Sequence, residues 1–157
     1  MENFDNDATY ILGLYADVNG CACVQIKQKY IEHSYSYTII HEDYKKDVST
    51  KNILELVDFK NNWGNKHWYE YVYINNFPSL EKIVSSETSV KTVELNAHDG
   101  AFITKCLFND GTLNIENELK ESVLKNLNSY NPNDEIINHR VMALFLALQA
   151  YENTNYW

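Results

Sequence analysis

Positive charge is the first thing this sequence lacks. Thirteen Lys and Arg stand against twenty-two Asp and Glu, a formal net charge of −9. A free-standing DNA-binding domain ordinarily carries a basic surplus, so tight autonomous binding to DNA is disfavoured. An acidic domain can still act on DNA if metal ions neutralise its centre or a larger assembly holds the duplex. Cysteine is also short. Cys21, Cys23 and Cys106 are an odd set of three, which is a poor basis for a disulfide framework, and Cys-x-Cys is not a zinc-knuckle spacing. Strand alternation points Cys21 and Cys23 to one sheet face, where each serves as a small core residue. The histidines His33, His41, His67, His98 and His139 show no zinc spacing either. No apolar run approaches the ~20 residues needed to cross a bilayer. The acidic, polar start Met1-Glu2-Asn3-Phe4-Asp5 is wrong for a signal peptide. The expectation is therefore a cytoplasmic protein with no membrane partner. Neither a phosphate-cradling Gly-x4-Gly-Lys-Ser/Thr loop nor a Gly-x-Ser-x-Gly nucleophile turn occurs, and there is no internal repeat or low-complexity linker.

What is present suits a globular domain. Apolar residues make up 45% of 157 positions, enough for one domain over 1–157 with a real core and a frayed segment at 1–8. Thr9 to Ala16 is a continuous apolar run, the pattern of a central strand covered on both faces. Asn19-Gly20 signals a hairpin. Cys21 to Ile31 alternates as a second, antiparallel strand, and Glu32-His33 turns into a third, Ser34 to His41, rich in aromatic and β-branched residues. A charged connection, Glu42 to Val48, leads to a helix capped by Ser49 or Thr50 and running to about Asn61. Trp68 to Ile74 reads as a fourth strand ending at Asn75-Asn76. Its cluster of Trp63, Trp68, Tyr69, Tyr71 and Tyr73 could stack on bases, but alternation turns half of it into the core. A short helix over Pro78 to Ser85 follows, with Pro in its first turn. Ser89 to Leu95 is a fifth strand. A helix from Asp99 or Gly100 stops at Asn109-Asp110-Gly111, Thr112 to Ile115 is briefly extended, and Asn117 to about Ser129 forms another helix with Leu119, Val123, Leu124 and Leu127 on one face. Three antiparallel strands followed by alternating helices and strands imply an α/β domain: a mixed five-stranded sheet with helices on both faces.

The closing stretch, Asp134 to Tyr151, is the anchor. It has no Gly or Pro, favours helix, and is apolar nearly all round past Arg140, so it should be buried. Its first turn is polar, with Asn133, Asp134, Glu135, Asn138 and His139. Those groups either cap the helix and sit where its dipole favours acids, or are delivered by it to a site. The run Asn138-His139-Arg140-Val141-Met142-Ala143-Leu144-Phe145-Leu146-Ala147-Leu148 resembles the His-Asp-Asp-Arg-Val-Met-Ala-Leu-Ala-Leu-Ala type of motif that opens the last helix in the nuclease domain of phage large terminase subunits. The order of elements fits the same ribonuclease H-like fold. Arg140 and the apolar part match; Asn138 and His139 stand where that family has Asp.

The resemblance implies a metal-dependent nuclease acting on DNA in phage genome packaging, in the host cytoplasm, alongside other packaging proteins. Such sites hold Mg²⁺ or Mn²⁺ among carboxylates, which activate water and stabilise the leaving oxygen. The resemblance asks for one acid at the first strand, one at the end of the fourth and one at the head of the last helix. Asp17 fits the first place, and is equally an ordinary hairpin Asp. Asn76, beside Asn75, falls at the second, with Glu70 available if the register differs. Asn138 and His139 fall at the third, where a His can bind a transition ion or relay a proton. Asp134 and Glu135, one turn earlier, could complete the metal ligands with Asp17. Two readings stay open: a working endodeoxyribonuclease, or the same fold kept as a non-catalytic binding or assembly module.

Overall fold

The computed structural model describes residues 7–58, 71–86 and 88–155, with side chains described up to Gln149. The expected helix end near Asn61, the Trp63, Trp68 and Tyr69 part of the aromatic cluster, and Glu70 lie outside these residues. The elements in chain order are β1 (Thr9–Asp17), β2 (Gly20–Ile31), β3 (Ser34–Lys45), α1 (Thr50–Val57), β4 (Tyr71–Ile74), α2 (Leu80–Ser85), β5 (Lys91–Thr92), α3 (Ala97–Asn109), β6 (Leu113–Ile115), α4 (Lys120–Ser129) and α5 (His139–Asn155). They form a mixed sheet in the order β5-β4-β1-β2-β3-β6. The β1–β2–β3 meander is antiparallel, whereas β4 and β6 join it in parallel.

β1 lies at the middle of the sheet, and its alternation splits the core in two. Ile11 and Tyr15 face α3, α4 and α5 on one side. Tyr10, Leu12, Leu14 and Ala16 face α1 and α2 on the other, together with Cys21 and Cys23. Both of these cysteines are fully buried, as strand alternation requires. Burial pushes the Cys21 thiol up to about 11 and raises that of Cys23 further. α5 crosses directly over β1. Its residues Val141 to Leu148 are all buried, and each such Leu, Val or Phe side chain contributes roughly 1.5–3 kcal/mol. Gly13 permits the crossing: a Cβ there would run into the Ala143 carbonyl oxygen and lie 2.9 Å from the Ala147 Cβ.

The sheet has six strands rather than five, because the extended piece at Thr112 to Ile115 pairs with Tyr37 to Ile39 as β6. β5 shrinks to Lys91–Thr92, which pairs with the end of β4 at one edge of the described sheet. β3 runs on through Glu42–Lys45, where the sequence predicts a charged connection. These residues pair with Cys21 to Val24 beyond a bulge at Gln25/Ile26, so tertiary pairing overrides their low strand propensity. The largest correction concerns α5, which begins at His139 and not near Asp134. Asn138 ends the irregular segment: its side-chain oxygen accepts from the Val141 N–H at 3.2 Å, and its carbonyl accepts from the Met142 N–H. That is N-cap geometry, and it leaves Asp134 and Glu135 outside the helix.

Candidate functional site

β1 and β4 run parallel, with Leu14 opposite Ile74, so their C-terminal tips lie side by side. In open α/β sheets, binding sites gather at that edge. The head of α5 arrives there too. The first contact is an amide clasp: Asn75 Oδ1 accepts from the Ala16 N–H at 2.9 Å, and its Nδ2 donates to the Ala16 carbonyl at 2.8 Å. The side chain of Asn75 thus extends the backbone pairing of the two strands past their last residue. The second contact joins positions 122 apart in sequence, with His139 Nε2 at 2.7 Å from Asp17 Oδ1. The same carboxylate oxygen accepts from the Asn19 N–H at 2.8 Å and shapes the Val18–Asn19 turn. Asp17 therefore shapes the hairpin and also meets the head of α5.

Aromatic rings hold the imidazole in place. Tyr15 meets it edge-on at 5.7 Å between centroids, and Tyr44 lies tilted at 5.4 Å. Burial, and then the charge of Asp17, raises the pKa of the Tyr15 hydroxyl above its ordinary value. The Arg140 guanidinium stands 5.4 Å from the Tyr44 ring centre, within cation–π range, and Arg140 Nε is 3.9 Å from Glu42 Oε1. Ser122 of α4 donates its hydroxyl to the same Glu42 oxygen at 2.8 Å. Gly20 gives Tyr44 its room, since a Cβ there would fall 2.7 Å from the Tyr44 hydroxyl.

Of the residues expected to form a site, Asp17 and His139 meet directly. At the end of the fourth strand it is Asn75, one residue before Asn76, that reaches β1; Asn76 is exposed. Asn138 adjoins His139, but its amide is taken up in capping α5 and in donating to Asn126 Oδ1 at 3.2 Å. Asp134 and Glu135 are exposed in the segment before the helix, and the Asp134 N–H bonds back to the Asn131 carbonyl. Their expected place on the last helix is thereby corrected, since α5 starts only at His139. Among the described residues, no three His, Cys, Asp or Glu side chains gather where they would hold a metal ion. Sequence reasoning alone misses Tyr15 and Tyr44. Tyr15 is within its reach, since residues i and i+2 of a strand share a face and Asp17 follows Tyr15 by two. Nothing local to Glu42 or Ser122 signals their contact.

A hard divalent cation asks for several oxygen donors, mainly carboxylates. Among the described residues, the carboxylate at the junction already accepts two hydrogen bonds through Oδ1, and both ends of the Asn75 amide are committed to backbone. As arranged, these side chains do not fit a Mg²⁺ or Mn²⁺ centre.

No family model matches the chain, and no curated protein matches it in sequence. Solved structures do match in shape. The P22 large terminase nuclease domain superposes with a TM-score of 0.68 at 12% identity, covering 99% of this chain and 86% of that one. The nuclease domain of the large terminase from bacteriophage SPP1, with bound Mn, gives 0.61 at 13% identity, covering 93% and 88%. The fold is that of the ribonuclease H-like terminase nuclease domains. Thermus thermophilus RuvC shares it at 0.54 and 12% identity, covering 94% and 96%. The chain spans only 36% of the large terminase of a thermophilic bacteriophage, with a TM-score of 0.63 and 12% identity over 91% of its own length. A ribonuclease H-like fold hosts more than one function, so the reading turns on what stands at the junction of β1, β4 and α5.

Proposed function

We propose that this chain is a terminase-type nuclease fold that serves a genome-packaging assembly as a non-cleaving binding module. The observation that carries this reading is the 2.7 Å contact between His139 and Asp17. It sets an imidazole against the junction's carboxylate, where a metal-dependent nuclease of this fold would need further acids. The packaging context is inferred from its structural neighbours, several of which are large terminases or their nuclease domains.

The competing reading is a Mg²⁺- or Mn²⁺-dependent endodeoxyribonuclease. One observation favours it: the side chain of Asp17 remains 20% exposed at the strand tip, within reach of solvent and of a His able to relay protons. Incubation with supercoiled plasmid and Mn²⁺ separates the two. The expected outcome is no nicking above background. Mn²⁺-dependent nicking that disappears in an Asp17→Ala variant would establish the nuclease instead.

A further inference from the structure

We infer that His139 stands in the way of a divalent ion at this site, because its ring nitrogen already occupies the Asp17 oxygen that such an ion would need. The inference accepts the reading of a non-cleaving fold and adds the physical reason that a metal is kept out. Three features point the same way. The nitrogen lies at hydrogen-bond distance, 2.7 Å, from the carboxylate oxygen. The side chain of His139 is only 8% exposed, and it is enclosed by Tyr15 and Tyr44; it cannot swing aside without opening the packing between the head of α5 and the β1–β2 hairpin. The position on the fourth strand is neutral and bound to backbone at both ends, so it adds neither charge nor a free donor atom.

Other charges border the pair. Glu42 and Arg140 lie close to each other beside Tyr44, and Lys45 is shared between Asp43 and Glu55 at 3.9 and 3.3 Å. Each acid of β3 therefore has a cationic neighbour of its own, which leaves Asp17 with His139. An ion seeking Asp17 Oδ1 would have to displace a buried imidazole.

The inference makes the metal response depend on one side chain. In the full-length protein, Mn²⁺ should leave the melting temperature unchanged relative to EDTA. It should also leave the imidazole resonances of His139 unbroadened, although Mn²⁺ is paramagnetic. In His139→Asp, two carboxylates face each other. That variant should melt lower than the parent in EDTA, and its melting temperature should climb with Mn²⁺ concentration, as for any ligand that binds only the folded state. Selective broadening of His139 by Mn²⁺ in the parent overturns the inference. So does a His139→Asp variant that folds by circular dichroism and shows no Mn²⁺-dependent rise. Should that variant fail to fold in EDTA and in Mn²⁺ alike, the broadening experiment on the parent decides alone. Plasmid nicking by the parent would sink the proposed function. Mn²⁺ binding at His139 without nicking would sink only this inference.

Discussion

Asn75 shows how a single side chain can close a site that its neighbours would leave open. Its amide donates and accepts at once against the same residue, Ala16. A carboxylate in its place could still accept from the Ala16 N–H but would meet the Ala16 carbonyl with no proton to give. Asn75→Asp is therefore expected to destabilise the protein by roughly 1–3 kcal/mol, the usual penalty for leaving a partly buried acceptor unpaired. The sign of its pH dependence follows from the same contact. Facing a carbonyl, the acid is favoured in its protonated, donating form, so its folded pKa lies above the unfolded one. The loss should be full at neutral pH and shrink as pH falls through the carboxylate range. Denaturant midpoints for parent and variant across that range check this; a penalty that grows on acidification would refute it. Placing an acid on the fourth strand is thus not expected to create a metal centre while His139 holds Asp17.

At the scale of elements, two junctions set the geometry: the crossing of α5 over β1, and the start of α5. The first depends on Gly13 and the second on Asn138. Gly13→Ala places a methyl against helix backbone that cannot yield, and over-packing of this sort costs roughly 1–3 kcal/mol. Asn138→Ala removes a cap, worth about 1 kcal/mol, along with the bond to Asn126 of α4. Both should lower the urea midpoint, and Asn138→Ala should also disturb the His139 imidazole signal, because that ring sits in the first turn of the helix. Equal stability in all three proteins would mean the crossing and the cap matter little. Much of this architecture is legible in the chain, because unbroken apolar runs such as Thr9 to Ala16 and Val141 to Leu148 have few alternatives to burial. The start of α5 is not, because Asn133, Asp134 and Asn138 are all good capping residues and only tertiary contact selects one. The extension of β3 is hidden for a related reason: Glu42, Asp43 and Lys45 read as a loop until their ion pairs and ring contacts form. Asp17 and His139 can each be named as candidates from sequence. Their pairing cannot, since it joins positions 122 apart and depends on the path of the whole sheet.

The fold as a whole separates what holds the molecule together from what stands at the strand tips. Its stability rests on two apolar layers, one on each face of the sheet, and neither layer needs an acid at the strand tips. Substitutions at the strand tips can therefore change local charge without touching either apolar layer. The overall charge of −9 bears on what such a framework can do next. Non-specific affinity for DNA comes mostly from cations that neutralise phosphates and release counterions, and it weakens steeply as salt rises. A chain with thirteen basic residues against twenty-two acidic ones has little of that term to lose. Fluorescence anisotropy with a labelled duplex should accordingly show no saturable binding at physiological salt, and only a shallow gain as salt is lowered. A steep salt slope would reveal a concentrated basic face and return DNA to the chain as a direct ligand. A flat one would leave DNA without an electrostatic hold on this chain and would support the proposed role as a module that binds through protein contacts.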